Sequence, residues 1–446
     1  MKQIIKGMLS IALVVLLAAL GFVIYGNINE SARDRAQQRA LEEVPELQEL
    51  ETPVPTPQGF TEPENAANIR ISVCGDLVCH TGLNTQAAKS DGSYDYAPIF
   101  SGVIDLIKSA DYAICTMETT FPETVEYSGY PMFKSPTDLA VSLKKSGFDM
   151  INTASNHCMD GLKGGLFRTL DVLDQNGLDH VGTYRSQEER DANNGILVKD
   201  IGGIKIAFLS YTYGTNAIPV TGFEYAANIF FKDYLTTLSD INYDLLKSDM
   251  AAARALDTDL IVVMPHWGVE YDTAPAAYQK ELADFFFKEG ADIVLGGHVH
   301  VPEPMELRRV VDNQGKEKTG FIVYCLGNFV SCQEDRYTNL TAVLNLEIQK
   351  NLDTGETYLR RVNYTPMYMV DLTDVGVSAD WRYRLWNLQA AIKSYQDGEM
   401  LGVMNETLYN NMVQGLEDIH SIFGTQFDFA AGGVDVIKWT EENSEA

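Results

Sequence analysis

Basic residues are scarce in this chain: 34 lysines and arginines stand against 62 aspartates and glutamates, for a formal charge of -28. A surface of that sign repels polyanions and argues against nucleic acid as a partner. It still admits a small phosphorylated or carboxylated substrate, because bound cations can reverse the potential inside one cleft. The six cysteines (Cys74, Cys79, Cys115, Cys158, Cys325 and Cys332) include no C-x-x-C pair, so neither a zinc ribbon nor a dithiol redox motif is suggested. Most sit in apolar runs and read as buried thiols. A disulfide such as Cys325 with Cys332 is the alternative in an oxidising compartment.

Apolar material is plentiful by contrast. Hydrophobic residues make up 45% of the 446 residues and aromatics 10%, enough to bury a large interior, so a globular body with appendages is expected rather than wholesale disorder. Gly7 to Tyr25 is uncharged and mostly apolar, about the length that crosses a hydrocarbon core of roughly 30 Å. It reads as a single-pass anchor in the cell membrane, with residues 1–25 forming the cytoplasmic tip and span and the body extracellular. Arg33, Arg35 and Arg39 compete with Lys2 and Lys6 in setting that orientation. A cleaved signal peptide, ending near Ala18-Ala19-Leu20-Gly21, is the alternative. Residues 26–68 read as a stalk whose Thr52-Pro53-Val54-Pro55-Thr56-Pro57 stretch favours a stiff, extended spacer.

From Ile69 the chain alternates short β-like runs with stretches of helical period, the pattern of an α/β domain. Strands are expected at Ile69–Cys74, Tyr112–Thr116, Asp149–Thr153, Lys205–Ser210, Leu260–Met264, Ile293–Leu295 and Phe321–Leu326. Helices are expected at Thr137–Ser146, Leu162–Asn176, Tyr243–Leu256 and Ala276–Glu289, where apolar residues recur every three or four positions. Leu340–Ile348 and Tyr358–Met369 read as later antiparallel strands, closing a body of residues 69–370. Residues 371–446 read as a helical extension with an acidic tail, its helices at Trp381–Tyr395 and Met404–Phe423.

Metal-competent side chains fall where these strands end. Asp76, Glu118, Asn156 with His157, His266, and His298 with His300 each follow an apolar run, and His80 lies just beyond the first. In α/β sheets the loops at the carboxyl ends of strands converge on a rigid frame, which is where sites form. Taken singly each residue has a plainer explanation: a turn cap, a solvated carboxylate, a hydrogen-bonded core histidine. Caps need not be imidazole, however, whereas two divalent ions need neutral nitrogen donors and a carboxylate able to bridge. His298 and His300, one residue apart, would leave an extended segment on the same side. Trp267, Tyr271 and Phe329 are candidates for the cleft wall, with burial in the core as the alternative.

In this order the motifs resemble the bacterial capsule-synthesis CapA-type family, also called the poly-γ-glutamate synthesis protein family, which is related to calcineurin-like metallophosphoesterases. The resemblance spans Ile69 to Ser331. It rests on Gly75-Asp76 with His80, Met117-Glu118-Thr119-Thr120, Ser155-Asn156-His157 with Asp160 and Gly161, His266-Trp267-Gly268-Val269-Glu270-Tyr271, Gly297-His298-Val299-His300-Val301 and Tyr324-Cys325-Leu326-Gly327-Asn328-Phe329. Departures are Ser155, Met117 and Val299, where the family has asparagine, leucine and proline, and the lack of a calcineurin-like Asp-x-His motif. His80 therefore stands between metal ligation and hydrogen bonding to a ligand or substrate.

The resemblance implies a four-layer αββα sandwich around two divalent transition metal ions, Mn, Fe or Zn. Glu118 would bridge them, Asp76 and His300 would hold one ion, and Asn156, His266 and His298 the other. His157 would protonate a leaving group with Asp160 holding its ring, while Glu270, Trp267 and Asn328 would support the ligands or line the cleft. The function implied is a metal-dependent phosphoester hydrolase acting in capsule or poly-γ-glutamate biosynthesis. The alternative is a non-hydrolytic accessory that binds or exports an anionic envelope polymer beside a membrane synthase.

Overall fold

Strands that are apolar at consecutive positions, not alternate ones, are strands that will be covered on both faces. The computed structural model, which describes residues 62–373, 382–399 and 403–443, builds two sheets around such strands. In chain order they are β1 (Ala66–Leu77), β2 (Tyr112–Met117), β3 (Met150–Asn152), β4 (Asp179–Val181), β5 (Leu197–Ile201), β6 (Ile204–Thr212), β7 (Leu260–His266), β8 (Ile293–Leu295), β9 (Pro302–Val311), β10 (Glu317–Leu326), β11 (Asn328–Val330), β12 (Leu340–Asn351), β13 (Thr357–Asp371), β14 (Tyr383–Asn387) and β15 (Val434–Asp435). The first sheet runs β14-β13-β12-β1-β2-β3-β4, with β11 beside β1 and β15 beside β13; the second runs β5-β6-β7-β8-β10-β9. β1 to β4 are mutually parallel, and so are β6, β7, β8 and β10.

The period of two sorts the side chains into layers. Ile69, Ile71, Val73 and Ile114 from the first sheet meet Ile206, Phe208, Val262 and Val323 from the second in one buried cluster between the sheets. The alternate residues Ala113, Cys115 and Ile151 face outward into a second cluster. There they meet Leu139, Ala140 and Leu143 of helix α1 (Asp138–Ser146) and Val172 and Leu173 of helix α2 (Leu162–Gln175). On the far side Ala207, Leu209, Ile261 and Val263 pack against Leu246 and Met250 of α3 (Tyr243–Ala255) and Leu282 and Phe286 of α4 (Ala277–Lys288). The result is mixed α/β with two sheets face to face and helices outside each.

The C-terminal residues take part in this core. Of helices α5 (Leu388–Gln396), α6 (Glu406–Phe423) and α7 (Val436–Glu442), α6 supplies Ile419 and Phe423 and α7 supplies Val436 to the cluster between the sheets. The helix expected from Trp381 begins at Leu388 instead, because Tyr383 to Asn387 pairs antiparallel with β13. The Asn387 side chain then accepts from Ala390 N at 2.9 Å and caps α5. β9 was not expected, since Pro302 and Pro304 interrupt its sequence. It lies at the edge of its sheet, where a missing N–H is tolerated.

The cysteines carry no disulfide among the described residues: Cys325 and Cys332 are both free, and all but Cys332 are buried. No described helix is long and apolar enough to cross a membrane. The expected anchor, Gly7 to Tyr25, and the stalk through residue 61 lie outside the described residues.

Candidate metal centre

Both sets of parallel strands point their carboxyl ends the same way, and the acid, amide and imidazole groups meet there. β1 carries Asp76 one residue before its end, Glu118 follows β2 directly, and the turn after β3 carries Asn156 and His157; β7 ends in His266, and the loop after β8 carries His298 and His300. Close backbone approach makes this convergence feasible. A Cβ at Gly75 would lie 1.9 Å from the Gly327 carbonyl oxygen, and one at Gly297 would lie 2.6 Å from Asp76 Oδ1. His298 and His300 do not lie in an extended segment, a correction to the sequence reading: their φ values are 104° and 66°. The reason is a turn in which His298 N donates to Asp76 Oδ2 at 2.7 Å, tying the second sheet's loop to the first sheet's strand. The two rings still face one region, with centroids 5.9 Å apart, and His298 lies 4.9 Å from His266.

One oxygen of Asp76, one of Glu118 and one ring nitrogen of His266 all lie within 4.8 Å of each other. Glu118 is 0% exposed, and neither of its carboxylate oxygens has a hydrogen-bond partner. Asp76 Oδ1 and His266 Nδ1 are likewise buried and unpartnered. His266 Nε2 is 3.0 Å from Asn156 Oδ1 and 3.6 Å from Glu118 Oε1. A wholly buried carboxylate without a donor is costly unless something positive meets it, so the donor set fits a cation. Oxygen and imidazole without thiolate suits a divalent transition metal rather than a structural zinc cluster.

Burial dominates the electrostatics. It pushes Asp76 up to about 7 against the His298 N–H that lowers it, and holds Glu118 well above the usual carboxylate range, with the charge of Asp76 adding to the effect. It keeps imidazoles neutral, the form that ligates metal. His80 is pushed down to about 4, and His300 to about 4 despite its bond to Asn328, while His266 lies well below the ordinary histidine range. Beside this group, His157 Nδ1 pairs with Asp160 Oδ2 at 2.8 Å, and its Nε2 lies 3.9 Å from Glu118 Oε2. Asp160 is itself anchored, its Oδ2 accepting from Phe133 N at 2.5 Å.

The remaining candidates separate clearly. Asn328 Oδ1 bonds His300 Nδ1 at 3.0 Å, and Asn328 Nδ2 donates to Gln333 Oε1 at 2.7 Å. Gln333 in turn donates to the Tyr271 hydroxyl at 3.0 Å. Tyr271 is 44% exposed, at the rim, with its ring centroid 5.8 Å from that of His300. Glu270 is exposed beside it, and its charge acts on Glu118. Trp267 and Phe329 do not line a cleft: both are fully buried, Trp267 with its Nε1 donating to the Tyr324 carbonyl at 3.0 Å, and Phe329 stacked on Phe100. Their size suits the core behind the loops. His80 packs on Phe133, whose other side meets His157, and its Nε2 has no hydrogen-bond partner.

Sequence reading missed Asn216, which touches both Asn156 and His157. It follows β6, a strand end like the others, yet no imidazole or carboxylate marks that loop.

Residues 70–333 match the bacterial capsule synthesis protein PGA_cap family. The PGA biosynthesis protein CapA of Bacillus subtilis (strain 168) is 30% identical over 285 residues, 63% of this chain and 68% of that protein. The capsule biosynthesis protein CapA of Bacillus anthracis is 30% identical over 213 residues, 47% of this chain and 46% of that protein. Among solved structures, a phosphatase from Mycoplasma pneumoniae aligns with a TM-score of 0.36 at 15% identity, covering 67% of this chain and 93% of its own. A 5'-nucleotidase from Candida albicans SC5314 aligns with a TM-score of 0.34 at 10% identity, covering 82% and 59%. The family match takes in more than half of the chain and every residue of the buried centre from Asp76 to Asn328, and on that match the chain belongs to the bacterial capsule synthesis protein PGA_cap family.

Proposed function

We propose that this protein is a metal-dependent hydrolase of the metallophosphoesterase kind, held at the outside of the cell membrane by its N-terminal segment and acting in capsule or poly-γ-glutamate biosynthesis. The observation that carries the reading is Glu118: a carboxylate at 0% exposure, without a hydrogen-bond donor, between Asp76, His266 and His157. Residues such as these stay ionised together only around positive charge. The names of the two Bacillus relatives, a PGA biosynthesis protein and a capsule biosynthesis protein, support the envelope-polymer role.

In this reading Glu118 would bridge two ions, Asp76 and His300 would hold one, and Asn156, His266 and His298 would hold the other. Divalent ions, when bound, polarise a phosphoryl oxygen and make water a nucleophile near neutral pH. The chain's own groups do the rest. His157 carries the proton at Nε2 and gives it to the departing oxygen, while Asp160 accepts from Nδ1 and keeps the ring aimed. Phe133 and Asn216 pack against that ring and limit its rotation. Tyr271, at the rim, is placed to meet the substrate outside the buried centre.

The test is metal analysis of the gently purified protein together with turnover of a generic aryl phosphate. Transition metal at one or more per chain is expected, with turnover abolished in His298→Ala and in Asn156→Ala. Undiminished turnover in both variants, or a protein that holds less than one metal per chain, would remove the hydrolase reading.

A further inference from the structure

The loop that follows β6 rises beside the centre. Tyr213 N donates to the His266 carbonyl at 3.1 Å, so the loop's base is fixed to the end of β7. Thr215 then closes a turn, with its hydroxyl donating to the Ile218 carbonyl at 2.6 Å. Within that turn two consecutive non-glycine residues, Asn216 and Ala217, have φ values of 48° and 62°. Asparagine tolerates the left-handed region; alanine does so only when its surroundings hold it there.

The turn places the Asn216 amide against two site residues. Asn216 Oδ1 accepts from Asn156 Nδ2 at 3.1 Å and from the Tyr213 hydroxyl at 3.3 Å. Its Nδ2 lies 3.4 Å from both ring nitrogens of His157. Equal distance to both nitrogens puts that amide over the ring face, leaving the in-plane Nδ1 to Asp160. An amide side chain has one oxygen and one nitrogen on nearly identical shapes, and only the oxygen ligates a metal. For Asn156 the choice is made by its partners: Nδ2 turned to Asn216 leaves Oδ1 turned to His266 Nε2, which itself lies 3.6 Å from Glu118 Oε1.

We infer that Asn216 is a positioning residue that fixes the amide orientation of Asn156 so that its oxygen faces the metal centre. The inference rests on the reading of that centre given above. Asn216 is exposed at the mouth, so water competes for its bonds and the effect belongs at the lower end of what supporting residues contribute, about tenfold in affinity.

The test is calorimetric titration of the metal-free, full-length chain with Mn2+, comparing wild type, Asn216→Ala, Asn156→Asp and the double variant. Asn216→Ala is expected to bind about tenfold more weakly while melting as wild type does in the absence of metal. An aspartate at 156 presents an oxygen whichever way it turns, so adding Asn216→Ala to Asn156→Asp is expected to change affinity less than twofold. Equal affinity of wild type and Asn216→Ala, or the same loss in both backgrounds, would overturn the positioning role. A wild-type chain that binds no Mn2+ would instead overturn the metal centre itself.

Discussion

Glu303 is as deeply buried as Glu118 but has a different partner. Its Oε2 accepts from Gln279 Nε2 at 2.8 Å while Oε1 has no hydrogen-bond partner. Burial raises its carboxyl to about 8; the Gln279 bond and Lys280 pull it down and Asp272 pushes it up, but burial wins. The folded chain therefore keeps a proton there that the unfolded chain releases near the ordinary glutamate value of about 4.3. By linkage the contribution of this group is fully present below that value, falls steadily as pH rises toward about 8, and is flat beyond. Glu303→Gln keeps an oxygen acceptor for Gln279 and removes the titration. Urea unfolding at pH 5 and pH 8.5 should show wild type losing stability relative to the variant at the higher pH, and an unchanged difference would contradict the assignment. At this scale the sequence showed what carried chemistry in its own side chain: Asp76, Glu118, Asn156 and the late histidines were legible because carboxylate and imidazole recur at strand ends. Asn216 was not, because its role lies in whose amide it turns, which is a property of the fold and not of the residue.

Helix α6 illustrates the same limit among elements. Its apolar period is visible in the sequence, but nothing there says which surface it covers. In the structure Phe423 is buried between the two sheets, its ring 5.2 Å from that of Tyr364, with Ile419 beside it. Phe423→Ala should therefore cost about 3–5 kcal/mol in denaturant unfolding, the range for emptying a core aromatic site. A loss below about 1 kcal/mol would mean that the helix lies on the surface. The central strands could be read in advance because burial on both faces makes them continuous apolar runs. β9 and β14 could not: the first contains prolines tolerated only because it is an edge, and Tyr383 to Asn387 is equally compatible with a helix until β13 is available to pair with it.

For the molecule as a whole, the centre is shared between its halves. Asp76, Glu118 and Asn156 come from the first sheet, while His266, His298 and His300 come from the second. A cation held there would join the sheets as well as neutralise buried acid, and would stabilise only the folded chain. At a free concentration one hundred times the dissociation constant the gain is about 2.7 kcal/mol, which for a chain of this size is a rise in Tm of about 3 °C. Thermal scans with Mn2+ and with a chelator should differ by this amount in wild type and coincide in Glu118→Gln. A wild-type Tm indifferent to both would contradict a centre that links the sheets. This arrangement was not legible beforehand, since the order of strands within each sheet, and which sheet receives which strand, follows from packing between distant segments.

β1 enters the sandwich at Ala66 and delivers Asp76 near its other end. Ten residue steps at about 3.3 Å each separate the two by roughly 30 Å. The first described residues, just ahead of Ala66, thus lie toward the opposite end of β1 from Asp76, while Tyr271, whose ring is 5.8 Å from that of His300, sits with the centre.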